Sequence, residues 1–140
     1  MADAGQALGL RVISGVILGL VCVAAAIVGG WPFAVLVSLS GIFMVYEWDR
    51  LNGGTGVGPL AIFHGISIVV AVVLIVLGHV PAPVMVLLTA GLLTLVFARD
   101  RHTSFSMHAA GVIYVGLAPL AMSWLRDFPD GGLFLVLWVF

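Results

Sequence analysis

The chain has 140 residues, of which 63% are hydrophobic and 8% charged, with no lysine, a mean hydropathy of +1.29 and a formal net charge of -1. A soluble domain carries about 25% charged residues, and this composition cannot supply the polar surface that water requires, so the chain belongs in a bilayer. The charge balance offers no basic face, which excludes nucleic acid as a partner class.

Val12 to Val28 is the first apolar run, preceded by Arg11 and followed by Gly29-Gly30. It reads as a retained transmembrane helix. A cleaved signal peptide ending near Ala24-Ala25-Ala26 is the competing reading, and the unbroken apolar run beyond those alanines disfavours it. Gly15 and Gly19 form a GxxxG pair that predicts close approach of a neighbouring helix. Cys22, a lone cysteine inside the run, closes no intrachain disulfide and packs as a small hydrophobe; Val21 and Gly19 do not fit a lipoprotein site.

The second span runs from Trp31 to Leu51, with Pro32 suited to its first turn and Trp31 and Trp48 placed for two aromatic belts. Asn52 to Pro59 is a glycine-rich turn. Its Gly54, Gly56 and Gly58 do not make a phosphate cradle, because no Gly-Lys-Ser/Thr follows. Leu60 to Leu77 is the third span, Gly78 to Pro83 a proline-bearing turn, and Val84 to Ala98 a shorter fourth span with Arg99 able to snorkel at its end. After the polar stretch Arg99 to His108, the fifth span, Ala109 to Leu125, carries Pro119, which predicts a kink. Leu133 to Phe140 covers only ~12 Å of a hydrocarbon core roughly 30 Å thick. The expectation is an all-α polytopic bundle, one transmembrane domain over residues 1–140, with five complete spans and a sixth that is incomplete. The arginines predict a cytoplasmic N-terminus, since Arg11, Arg50, Arg99 and Arg101 then lie inside and Arg126 alone outside.

Ionisable groups within or beside membrane helices are the functional suspects. Glu47 has two readings: an interfacial helix-end pair with Arg50 at i,i+3, or a contact with a ligand, a proton or a partner helix. Asp49 reads as a solvated helix end. Arg99-Asp100-Arg101-His102 reads either as a topology anchor or as a fork for a lipid or nucleotide phosphate. Glu47, Arg50, Arg99 and Arg101 are therefore the candidate substrate-binding residues. His64 and His79 bracket the third span and His102 and His108 are six apart, which predicts no metal site, and no catalytic motif assigns a catalytic residue.

Three stretches add what composition lacks: Leu10-Arg11-Val12-Ile13-Ser14-Gly15; Gly29-Gly30-Trp31-Pro32-Phe33 leading to Tyr46-Glu47-Trp48-Asp49-Arg50-Leu51; and Gly111-Val112-Ile113-Tyr114-Val115-Gly116 leading to Leu125-Arg126. In this order the chain resembles the N-terminal half of the phosphatidate cytidylyltransferase (CDP-diacylglycerol synthase) family. The resemblance implies a multi-pass bacterial inner-membrane protein of phospholipid biosynthesis. It implies transfer of a cytidylyl group from CTP to phosphatidic acid with Mg2+ assistance, the metal ligands lying outside this chain. The family's diagnostic lysines and aspartates follow later in such proteins, so the resemblance carries no catalytic residue onto these positions and implies a fragment inactive by itself. Membrane lipids are the implied partners, with homo-oligomerisation open. The competing class is a small transporter or accessory membrane subunit, with Glu47 a coupled carboxylate facing a bundle cavity.

Overall fold

The computed structural model describes residues 2–97 and 105–139. Six helices follow one another: α1 (Ala2–Val28), α2 (Gly30–Leu51), α3 (Pro59–Val76), α4 (Pro81–Phe97), α5 (Phe105–Arg126) and α6 (Gly132–Val139), with no strand among the described residues. Helix is the outcome lipid demands, because a spanning segment must satisfy its backbone polar groups internally. Leu8–Val28, Gly30–Leu51, Pro59–Val76 and Ser106–Arg126 are long and apolar enough to cross a membrane, whereas Pro81–Val96 is a shorter apolar helix. The sixth helix has 8 residues. This is a multi-pass membrane protein with four helices of spanning length among the described residues.

Helices α2 to α5 pack as the central bundle, while α1 leans on α2 and α6, and α6 on α5 and α1. The core they enclose is built on Phe33 from α2, Ile68 and Val72 from α3, Leu87 from α4 and Val112 from α5. In lipid the apolar side chains gain little by meeting each other, so close packing at small residues decides which faces join. Glycines mark those faces. A Cβ on Gly41 would meet Ile68 and Pro119, one on Gly91 would meet Ile113, and one on Gly116 would meet Leu87. The GxxxG pair does not behave this way: nothing lies within 4 Å of a Cβ on Gly15 or Gly19. Helix α1 exposes most of its apolar surface instead, its spanning window being 6% buried.

Two contacts fix the direction of α5 against α2. Trp48, near the end of α2, donates its indole N–H to the Met107 carbonyl at the start of α5, at 3.0 Å. At the other end, Arg126 closes α5 and donates through Nε to the Ala26 carbonyl and through Nη2 to the Ile27 carbonyl, the latter at 3.0 Å. These helices are therefore antiparallel. The chain passes from α1 to α2 at Gly29 and Gly30, with φ of 69° and 52°, and the guanidinium fits because Gly29 has no side chain to block it. Helix α5 continues through Pro119.

Candidate functional site

Polar side chains collect at the Arg50 end of the bundle, where α2 and α4 finish and α3 and α5 begin. Asp49, in the last turn of α2, is buried. That corrects the expectation of a solvated helix end. A carboxylate gains nothing from the negative end of its own helix, but its Oδ1 lies 3.6 Å from His108 Nδ1 in the opening turn of α5, where the dipole is positive. Its Oδ2 accepts the Gly56 backbone N–H at 2.8 Å. The chain returns over Asp49 because the turn is rich in glycine: a Cβ on Gly54 would overlap the carboxylate, and Gly56 has φ of 82°.

His64 and Thr94 extend the cluster to α3 and α4. His64 does not bracket the third span; it sits in the second turn of α3 and is 3% exposed. Its Nε2 lies 2.8 Å from Thr94 Oγ1, and the Thr94 hydroxyl donates to the Ala90 carbonyl at 2.8 Å. A hydroxyl has one proton to give, so both bonds are made only when His64 carries its proton on Nε2 and donates it to Thr94. Four helices thus contribute Asp49, His64, Thr94 and His108 to one buried polar region.

The segment before Asp49 completes the region. Trp48 is half-buried and packs on α5, its indole lying over Gly111 so closely that a Cβ there would overlap the ring nitrogen. Its ring also packs on Tyr114, with centroids 5.8 Å apart. Arg50 and Glu47 remain at the surface, and the expected pair between them is not formed. Arg50 folds back over the Tyr46 ring instead, its guanidinium carbon 5.5 Å from the centroid and its Nη1 donating to the Tyr46 hydroxyl at 3.3 Å. The ring offers both a π face and an acceptor one helical turn back, which outweighs an exposed i,i+3 pair. Glu47 is exposed. Arg99 and Arg101, the other two candidates, lie outside the described residues.

Beside the cluster, an apolar groove of about 600 Å³ runs between α3 and α4, lined by Phe63, Ser67, Met85, Val86, Ala90 and Leu93. Ser67 directs its hydroxyl back to the Phe63 carbonyl at 2.8 Å, so that wall offers apolar surface.

The cytidylyltransferase family model matches residues 9–140. The chain belongs to the cytidylyltransferase family. Curated relatives include the phosphatidate cytidylyltransferases of Brucella abortus biovar 1 (strain 9-941), Brucella suis biovar 1 (strain 1330) and Brucella melitensis biotype 1, each 28% identical over 134 residues. Each alignment covers 91% of this chain and 49% of the relative. The chain thus spans about half the length of the curated relatives it matches. No solved structure matches it. Within this family member, two of the three stretches noted in the sequence meet in space: Trp48 closes on Gly111 at one end of α2 and α5, and Gly29 receives Arg126 at the other.

The described residues do not fit a divalent metal. Among them no group of three or more His, Cys, Asp or Glu side chains is placed to hold one. Asp49, the buried carboxylate of the cluster, is already engaged by Gly56 and His108. What the cluster offers is an acid–imidazole pair, a second imidazole of defined tautomer and a rigid junction of four helices. The sequence did not show that Asp49, His64, Thr94 and His108 belong together, because each lies on a different helix and only the packing of α2 to α5 brings them to one place. The one legible signal was depth: each falls within about two turns of a helix end, on alternate ends of consecutive helices.

Proposed function

We propose that these residues are the N-terminal, membrane-embedded part of a CTP:phosphatidate cytidylyltransferase, which joins the cytidylyl group of CTP to phosphatidic acid and releases pyrophosphate, giving CDP-diacylglycerol. The observation that carries the reading is the family match across residues 9–140, shared with relatives bearing that name. The part played here is a scaffold: the bundle seats lipid tails along apolar faces such as the α3/α4 groove, and the Asp49 cluster fixes the helix ends beside the aqueous side. No group of ligands for a metal is placed among the described residues, and the Mg2+ of the proposed reaction is held by residues outside this chain. The reading includes five membrane passes, with α4 the shortest, an incomplete sixth in α6, a cytoplasmic N-terminus and residence in a bacterial inner membrane. CTP, phosphatidic acid and membrane lipids are its partners.

Conversion of phosphatidic acid by labelled CTP in liposomes containing Mg2+ tests it. Residues 1–140 alone are expected to give no product above background, because the transfer depends on positioned charge that the described residues lack. A polypeptide of the relatives' length that includes these residues is expected to make CDP-diacylglycerol. Turnover by residues 1–140 alone would refute the divided site. Failure of the longer polypeptide, folded and in membranes, would refute the cytidylyltransferase reading itself.

A further inference from the structure

The turn between α2 and α3 lies back across the last turn of α2, and its attachments are unevenly distributed. The Asn52, Gly53 and Gly54 amides bond to the carbonyls of Trp48, Arg50 and Asp49, which simply finish the helix. At the far side, the Ile62 amide bonds to the Gly58 carbonyl as α3 begins. Between these two anchors, among the described residues, the tie is the Gly56 N–H bond to Asp49 Oδ2. Thr55 and Val57 on either side are exposed, while Gly56 is buried against Tyr46 and the stem of Arg50. Gly53 and Gly56, with φ of 84° and 82°, stand at the points where the path bends. Beneath this arc the Asp49 carboxylate reaches His108, whose imidazole is 3% exposed.

We propose that residues 52–58 form a lid over the buried polar cluster, that Asp49 is its latch, and that lifting the lid opens the cluster to the aqueous phase at His108. A segment held at both ends by helix-terminal bonds and in its middle by one side chain opens locally without unfolding the bundle. Asp49 suits the latch because one carboxylate serves both partners: Oδ2 holds the lid and Oδ1 faces the His108 imidazole. Helix α5 stays in place when the lid lifts, since Trp48 holds it independently through the Met107 carbonyl. The proposal stands apart from the cytidylyltransferase reading, because it concerns access to an imidazole rather than turnover.

Diethylpyrocarbonate, which modifies accessible imidazoles, tests it on the chain in membranes at one fixed neutral pH, with the rate at each histidine read by mass spectrometry. His79, exposed in the turn before α4, is the internal reference. In the parent protein His108 is expected to react at least about tenfold more slowly than His79. Gly56→Ala places a Cβ against the Tyr46 ring at a positive φ while leaving Asp49 intact; Asp49→Ala removes the latch itself. Each is expected to raise the His108 rate by about fivefold or more relative to His79. Asp49→Asn keeps an acceptor for the Gly56 N–H, and Trp48→Phe loosens α2 from α5 without touching the lid; both are expected to stay within about twofold of the parent. Should Asp49→Ala fail to fold, Gly56→Ala decides. Parent-like reactivity in Gly56→Ala overturns the lid, as does a rise in Trp48→Phe equal to that in Gly56→Ala. A parent protein in which His108 reacts as fast as His79 overturns it too.

Discussion

The indole of Trp48 occupies the space a side chain at Gly111 would need, and from there its N–H reaches the Met107 carbonyl at 3.0 Å. Large and small residues, far apart in sequence, thus make a single joint between α2 and α5. Adding one methyl at this joint, as in Gly111→Ala, forces the ring outward and breaks the hydrogen bond. Overpacking of this kind costs roughly 1–3 kcal/mol, and unfolding of the purified protein in mixed detergent micelles should register a loss of that size. Gly15→Ala, where nothing lies within 4 Å, should change stability by less than about 0.5 kcal/mol.

Glu47 and Asp49 are two positions apart and should respond oppositely to substitution. Glu47 is exposed and Asp49 buried. Glu47→Gln is expected to leave stability within about 0.5 kcal/mol of the parent. Asp49→Ala strands the buried Gly56 N–H and removes the carboxylate facing His108, and leaving a buried donor unsatisfied costs on the order of 1–3 kcal/mol. The same detergent titration checks both. Equal losses would show that the two carboxylates share an environment, against the geometry.

Arg126 should govern the junction of α1 and α2. Its guanidinium takes the Ala26 and Ile27 carbonyls, which lack helical partners at the end of α1. Arg126→Gln cannot reach both carbonyls with a charged fork, so hydrogen exchange at the Gly29 and Gly30 amides is expected to accelerate by about tenfold, while the centre of α2 keeps its protection. Arg126→Lys should recover part of that protection.

The two ends of the bundle should face opposite sides of the membrane. Asn52 lies at the Arg50 end, and Gly78 follows α3 at the Arg126 end. In a Cys22→Ser background, single cysteines at Asn52 and Gly78 are expected to react with an impermeant maleimide from opposite faces, Asn52 from the cytoplasm, as the arginine bias requires. Labelling of both from one face would remove the odd number of passes between α2 and the turn before α4.

Class, helical content and the positions of most turns were legible in the sequence because lipid leaves a chain few choices: apolar runs must be helices, and Gly, Pro and Arg mark where they stop. The motifs also pointed to the right family. Which polar residues matter was decided only by tertiary structure. Glu47 and Asp49 sit in the same helical turn, and hydropathy cannot say which faces outward; packing of α2 on α5 turns Asp49 in and Glu47 out. His64 and Thr94, thirty residues apart, become one hydrogen-bonded pair only when α3 and α4 pack side by side. Likewise the GxxxG spacing of Gly15 and Gly19 named a plausible contact, yet the glycines that bring helices close are Gly41, Gly91, Gly111 and Gly116. A small residue permits close approach wherever it occurs, and only the fold determines whether a neighbour arrives there.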